Sequence, residues 1–263
     1  MPGDVAAPLE RRARGVRANA RAAANPGRTR GHPGRPTVST PATLTPVGYL
    51  QFENGVLAGH KSEGVKTLFD INQVTKLAVA PRLQLIAEFE PVAWSEGEGE
   101  SKYTNYAGGI SAGAQVLLYR GEGARPSIAA SFLQTGYAGD APDLDIGSAQ
   151  QSFIALFSFD FGAFHVDTNA MFNSQVDESR KAQYGQTLSI SHPLKKTTIV
   201  FELWRFTQPF DQAHAGGMLW AVSWNQNPHL VYDVGVDAGL TTTSTHWELF
   251  GGFTYLLPHR LWK

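Results

Sequence analysis

His165 and Asp167 stand two residues apart, so on an extended strand they share a face, and with a serine they could form a proton relay. Gly109-Ile110-Ser111-Ala112-Gly113 supplies a serine in the G-x-S-x-G pattern of a nucleophile elbow. An elbow needs a strand, a sharp turn and then a helix. Here the motif lies inside a Gly/Ala-rich strand pattern with no helical period after it, where small residues mark a bend or close packing. His165 and Asp167 read more simply as a polar pair on a solvated face, and a membrane-embedded serine hydrolase is the alternative. The eight His show no HExxH pattern and no paired ligand spacing for zinc. Asp140, Asp143 and Asp145 precede Gly147 much as in a Ca²⁺ loop, but Ala141-Pro142 breaks the spacing and no Glu closes it. Zero Cys excludes a disulfide framework, a thiolate metal site and a cysteine nucleophile. The expectation is a protein that is not an enzyme and carries no cofactor or metal.

The elements that would position these residues have a period of two. In Phe164–Asn173 one face is Phe164, Val166, Thr168, Ala170 and Phe172, and the other is His165, Asp167, Asn169, Met171 and Asn173. Arg82–Val92 and His229–Ala238 alternate in the same way. About twelve such segments run from 48–59 to 246–257, mostly 9–14 residues long. Ordinary strands average about 5–6 residues, whereas a tilted membrane strand needs about 9–11. Connections on one end are short, as at Ala80-Pro81 and Gly162-Ala163, and those on the other are mostly longer, as at His60–Val65, Trp94–Tyr103 and Tyr137–Ser148. Outer-membrane barrels sort their loops this way. No apolar run approaches the roughly 18–20 residues of a spanning helix.

In a spanning barrel the continuous apolar face meets lipid and the polar face turns inward. The expected lumen-lining residues are then Glu53, Asp70, Lys76, Arg82, Glu88, Glu90, His165, Asp167, Glu202, Asp233, Asp237 and Glu248, with Arg205 beside them. Met171, Trp220 and Trp224 are candidates to plug the bore. Trp94, Tyr103, Tyr106, Tyr119, Trp204, Trp247 and Trp262, near strand ends, suit an interfacial belt and ordinary packing equally. In a soluble ligand-binding barrel, the remaining alternative of this shape, the two faces would be exchanged.

Charge separates the chain into two parts. Residues 1–36 carry eight Arg against Asp4 and Glu10, a net of +6, while the remainder carries 14 basic and 21 acidic residues, a net of −7. An acidic body disfavours nucleic acid. The first part is rich in Arg, Ala, Gly and Pro, with too few large apolar side chains to offset its ordering entropy. It reads as a disordered tail over 1–36, ahead of a barrel over 37–263. The tail has no 7–15-residue apolar stretch of a secretory signal. Translated upstream sequence in place of the leader is the reading that suits a body belonging outside the cytoplasm.

The order of "LTPVGYLQFENG", "VTKLAVAPRLQLIAEFEPVA", "AGAQVLLYRGEGARPSIAASF", "FSFDFGAFHVDTNAMF", "GQTLSISHPL", "VFELWRF" and "DVGVDAGLTTTSTHWELFGGFTYLL" resembles the outer-membrane family named for the MetA pathway of phenol degradation. The resemblance covers roughly residues 37–263. It implies an outer-membrane barrel of about twelve strands in a Gram-negative cell. It also implies passage of small, aromatic or otherwise hydrophobic solutes, and offers no catalytic residues. The combined expectation is an up-and-down antiparallel transmembrane β-barrel that passes small solutes through an acid-lined lumen. Its partners would be outer-membrane lipid, the solute and, during biogenesis, the barrel-assembly machinery. A structural or adhesive barrel without transport is the alternative within the same fold.

Overall fold

The computed structural model describes residues 31, 33–62, 64–142, 144, 149–175, 182–207 and 214–262. Strands dominate: β1 (Leu50–Ser62), β2 (Val65–Ala80), β3 (Leu83–Gly97), β4 (Thr104–Tyr106), β5 (Ile110–Tyr119), β6 (Ser127–Tyr137), β7 (Ala149–Phe161), β8 (Phe164–Gln175), β9 (Ala182–Leu194), β10 (Thr197–Phe206), β11 (Ala215–Asn227), β12 (Leu230–Gly239) and β13 (Trp247–Leu256). Every neighbouring pair is antiparallel. The first and last strands pair from Gln51↔Leu256 to His60↔Trp247, which closes the sheet and removes its edges. Twelve strands form the wall. The thirteenth, β4, pairs among the described residues with Ala93–Ser95 of β3.

The segment 104–119, read from sequence as one strand, divides into β4 and β5. The cause is an irregularity in β3, where the ladder with β2 passes from Phe89 to Val92 and leaves Glu90 and Pro91 unmatched. Proline has no ladder N–H to give. The backbone of Glu90 turns instead to Gly109 O and Gly108 N, so the chain crosses this level as a glycine loop.

The packing is inverted relative to a soluble protein. Gln51, Gln84, Gln115, Gln183 and Glu202 are among the largest fully buried side chains. Val56, Leu85, Val116, Phe132, Leu188, Val222 and Leu249 are exposed on the outer wall, and mid-strand Val234 is 63% exposed. Water would not tolerate such a belt, whereas a bilayer requires it. The soluble-barrel alternative is therefore set aside. Neighbouring aromatics ladder across the outside, with Phe132–Phe153, Phe153–Phe172 and Phe172–Tyr184 centroids 4.8, 6.3 and 5.5 Å apart. Trp220 and Trp224 belong to this outer face, at 51% and 44% exposure, and do not plug the bore. On β11 the inward positions fall to Leu219, Ala221 and Ser223, which are buried.

One end of the barrel carries residues 81–82, 120–126, 162–163, 195–196 and 228–229 between strands, and the other carries 98–109, 138–148, 176–181, 207–214 and 240–246. The first end is the periplasmic one by the short-turn rule. Residues 60–65 do not form a longer loop as the pattern suggested, because β1 and β2 extend to Ser62 and Val65 and leave two residues between them. Of the candidate Ca²⁺ loop, Asp143 and Asp145 lie outside the described residues.

Candidate functional site

The interior of the barrel is occupied by its own chain. Gly31 N donates to Pro228 O (3.2 Å) at the periplasmic turn between β11 and β12. Residues 33–47 then rise into the lumen, bend and return to the same end. There Gly48, at φ +82°, redirects the chain into β1. Glycine suits that left-handed conformation, and a side chain would also meet Arg260.

This segment has no ladder, so its backbone groups are satisfied by side chains of the wall. On the rising limb Gly34 N donates to Glu53 Oε1 (2.9 Å). The same oxygen accepts from Lys76 Nζ (2.7 Å) and Gln51 Nε2 (2.8 Å). Arg35 donates from Nε and Nη2 to the two oxygens of Asp233 (3.4 and 3.2 Å) and from Nη1 to Asn72 Oδ1 (3.1 Å). At the bend Glu202 accepts from Val38 N (2.9 Å), Ser39 N (2.7 Å) and Ser39 Oγ (2.6 Å). On the descending limb Asn169 bonds both Thr40 N (2.6 Å) and Thr40 O (2.9 Å), as a neighbouring strand would. Ala42 N donates to Ser158 Oγ (2.8 Å), Gln115 Nε2 donates to Pro41 O (3.0 Å), and Gln84 Oε1 accepts from Thr45 N (2.8 Å). The boundary drawn from sequence after residue 36 thus falls inside a single luminal segment. Residues 1–30 lie outside the described residues.

Most residues singled out from sequence gather around this segment. Glu53, Glu202 and Asp233 hold it directly, and Lys76 is bonded to Glu53 behind it. Asp70, Glu88 and Glu90 lie on the inward faces of β2 and β3. Asp167 accepts from Ser158 Oγ, which carries the contact on to Ala42. His165, at the periplasmic mouth, places Nδ1 2.7 Å from Asp160 and Nε2 3.3 Å from Asp167. Arg82 stands apart, exposed in the turn between β2 and β3. Arg205 alternates with inward-facing Trp204 and Phe206 and so points outward. Ser111 lies on β5, separated from β8 by β6 and β7, with its hydroxyl 3.0 Å from Thr135 Oγ1. The structure therefore does not bring Ser111 to His165; the serine opposite His165 in the ladder is Ser191.

Sequence reasoning missed Trp204 and Phe206 as interior groups. Both are buried with Ala215, and Met171 and Val38 pack against them. The indole N–H of Trp204 donates to Asp237 Oδ2 (2.6 Å), so it is not an interfacial anchor. Above the bend lies a cavity of about 240 Å³. Val38 forms its floor, and Pro142 and Leu144 of the loop after β6 lie over it. Asp70, Glu90, Asp237 and Glu248 share its walls with Leu57 and Leu68. Asp70 Oδ1 is buried there with no hydrogen-bond partner among the described residues.

The crystal structure of an outer-membrane channel from Pseudomonas putida F1 superposes with a TM-score of 0.59 at 14% identity, covering 89% of this chain and 99% of that one. The chain folds as an outer-membrane β-barrel. The NanC porin is also similar, with a TM-score of 0.50 at 7% identity over 77% of this chain and 98% of that porin. These likenesses are of fold. No family model and no curated protein matches the sequence. What distinguishes this outer-membrane barrel is therefore read from its own lumen. The carboxylates of Glu53, Asp70, Glu88, Glu90, Asp167, Glu202, Asp233, Asp237 and Glu248 share the interior with the cations of Arg35 and Lys76.

Proposed function

We propose that this barrel is a channel for small cationic or neutral solutes, entered from the extracellular side and lined by acids. The carrying observation is the cavity above Val38, where four carboxylates share the lining with Leu57 and Leu68. Carboxylates there raise the local concentration of cations, and the leucines accept an apolar body. Asp70 Oδ1, a buried acceptor, favours a solute that brings an N–H donor. The resemblance to the phenol-degradation family agrees with the apolar part of this lining. It does not by itself account for the acids.

The test is solute uptake into proteoliposomes carrying the folded full chain, with solutes of matched size and different charge. Uptake should be fastest for the cation, slower for the neutral solute and slowest for the anion. Equal rates for all three would remove the role of the acids, and no uptake above protein-free vesicles would favour a structural or adhesive barrel.

A further inference from the structure

Four residues around Arg35 form one row across adjacent strands. Asp233 on β12 pairs with Gly252 on β13, Gly252 pairs with Gly55 on β1, and Gly55 pairs with Asn72 on β2. The row therefore presents a carboxylate, two positions without side chains, and an amide. The guanidinium plate lies across the gap. Asp233 takes Nε and Nη2 along one edge, and Asn72 takes Nη1 at the other. A Cβ added to Gly55 would come within 2.0 Å of Nη1, and one added to Gly252 within 2.9 Å of Nε. The bare backbone is thus the floor of a flat slot. Fork geometry on a carboxylate, a planar floor and a third acceptor fit a guanidinium and do not fit a tetrahedral ammonium equally well.

The slot lies directly beneath the cavity. One inward step up the same strands leads from Asn72 to Asp70 and from Gly55 to Leu57, and two steps lead from Asp233 to Asp237. All three of these upper residues line the cavity. A cation collected by the acids above would meet this row next. Arg35 reaches it on a segment tied down by side-chain hydrogen bonds and not by a strand ladder.

We propose that the Asp233–Gly252–Gly55–Asn72 row is a binding site for guanidinium-bearing solutes, with Arg35 as the intrachain occupant such a solute displaces. The proposal rests on the channel reading and narrows its solute class. Displacement would free the rising limb and open the route past Val38.

The experiment compares agmatine with putrescine, which has an ammonium where agmatine has its guanidinium. The folded full chain, Arg35→Ala and Arg35→Ala/Asp233→Asn are recorded in planar bilayers. Current through Arg35→Ala should be blocked by agmatine at least tenfold more strongly than by putrescine. The block should be at least tenfold weaker in the unsubstituted chain, where Arg35 competes, and should vanish with Asp233→Asn. Equal block by both amines, or block that survives Asp233→Asn, overturns the proposal. A second readout does not need current: the temperature at which the folded band is lost on gels. Agmatine should raise it for Arg35→Ala and not for the double variant. If no variant conducts, the channel reading falls and the gel decides the site alone. A rise that depends on Asp233 then supports the site, and no rise overturns it.

Discussion

Gly55→Ala is the smallest change that should release the luminal segment. The new methyl would lie 2.0 Å from Nη1 of Arg35, 2.4 Å from Cζ and 2.7 Å from Nη2. Ordinary carbon contacts begin near 3.5 Å, so the guanidinium must retreat by about 1.5 Å. Its hydrogen bonds of 3.1, 3.2 and 3.4 Å would then exceed the range of a real hydrogen bond. Bonds to charged groups contribute about 1.5–3 kcal/mol each when buried. Luminal water would restore part of this, leaving a net of roughly 2–4 kcal/mol against the seated segment. That is a shift of tens- to several-hundred-fold between seated and released states, at about 1.4 kcal/mol per factor of ten. Because the chain has no cysteine, Val38→Cys supplies a single label site at the bend. Its contact with Glu202 is through the backbone and survives the substitution. Reaction with a membrane-impermeant maleimide should accelerate at least tenfold when Gly55→Ala is added. An unchanged rate in a barrel that still shows its folded gel band would refute the assignment of Arg35 as the latch.

Three further outcomes follow from the same geometry. Glu202→Gln keeps one acceptor oxygen and sets its NH2 against either Val38 N–H or Ser39 N–H, which the two carboxylate oxygens accept separately; a loss of about 1–3 kcal/mol should lower the temperature at which the folded band disappears. Val234→Arg puts a charge at mid-strand on the lipid face and should cost roughly 2–4 kcal/mol in refolding titrations into bilayers. Gly217→Ala places a methyl 2.3 Å from Cζ2 of Trp204; it should break the indole bond to Asp237 and shift tryptophan emission to the red.

The wall was legible because alternation is a direct imprint of strand geometry on residue type. Phe164–Asn173 shows both of its faces without any structure, and inward Asp167, Asn169 and Asn173 lie where that period puts them. The luminal segment was not legible, for the opposite reason. Arg35, Ser39 and Thr40 are held by Asp233, Glu202 and Asn169 through bonds spanning 129 to 198 residues of sequence. Such contacts leave no period, and a stretch with few apolar side chains reads as a tail when its partners are unseen. Trp204 and Phe206 escaped notice because polar-inward alternation assigns an indole to lipid, whereas Gly217 and Gly185 opposite them open room inside. Arg82 and Arg205 show the reverse error: one fell in a turn, and the other alternates out of the lumen on β10.

Under the proposed function, the acid-lined, chain-occupied lumen conducts cations. The most direct test is the reversal potential of the folded full chain in a planar bilayer under a tenfold KCl gradient. Current should come in small steps whose reversal lies on the potassium side of zero and moves toward zero in Glu88→Gln/Glu90→Gln. A bilayer that takes up the folded barrel yet shows no steps, or a reversal on the chloride side, would contradict it.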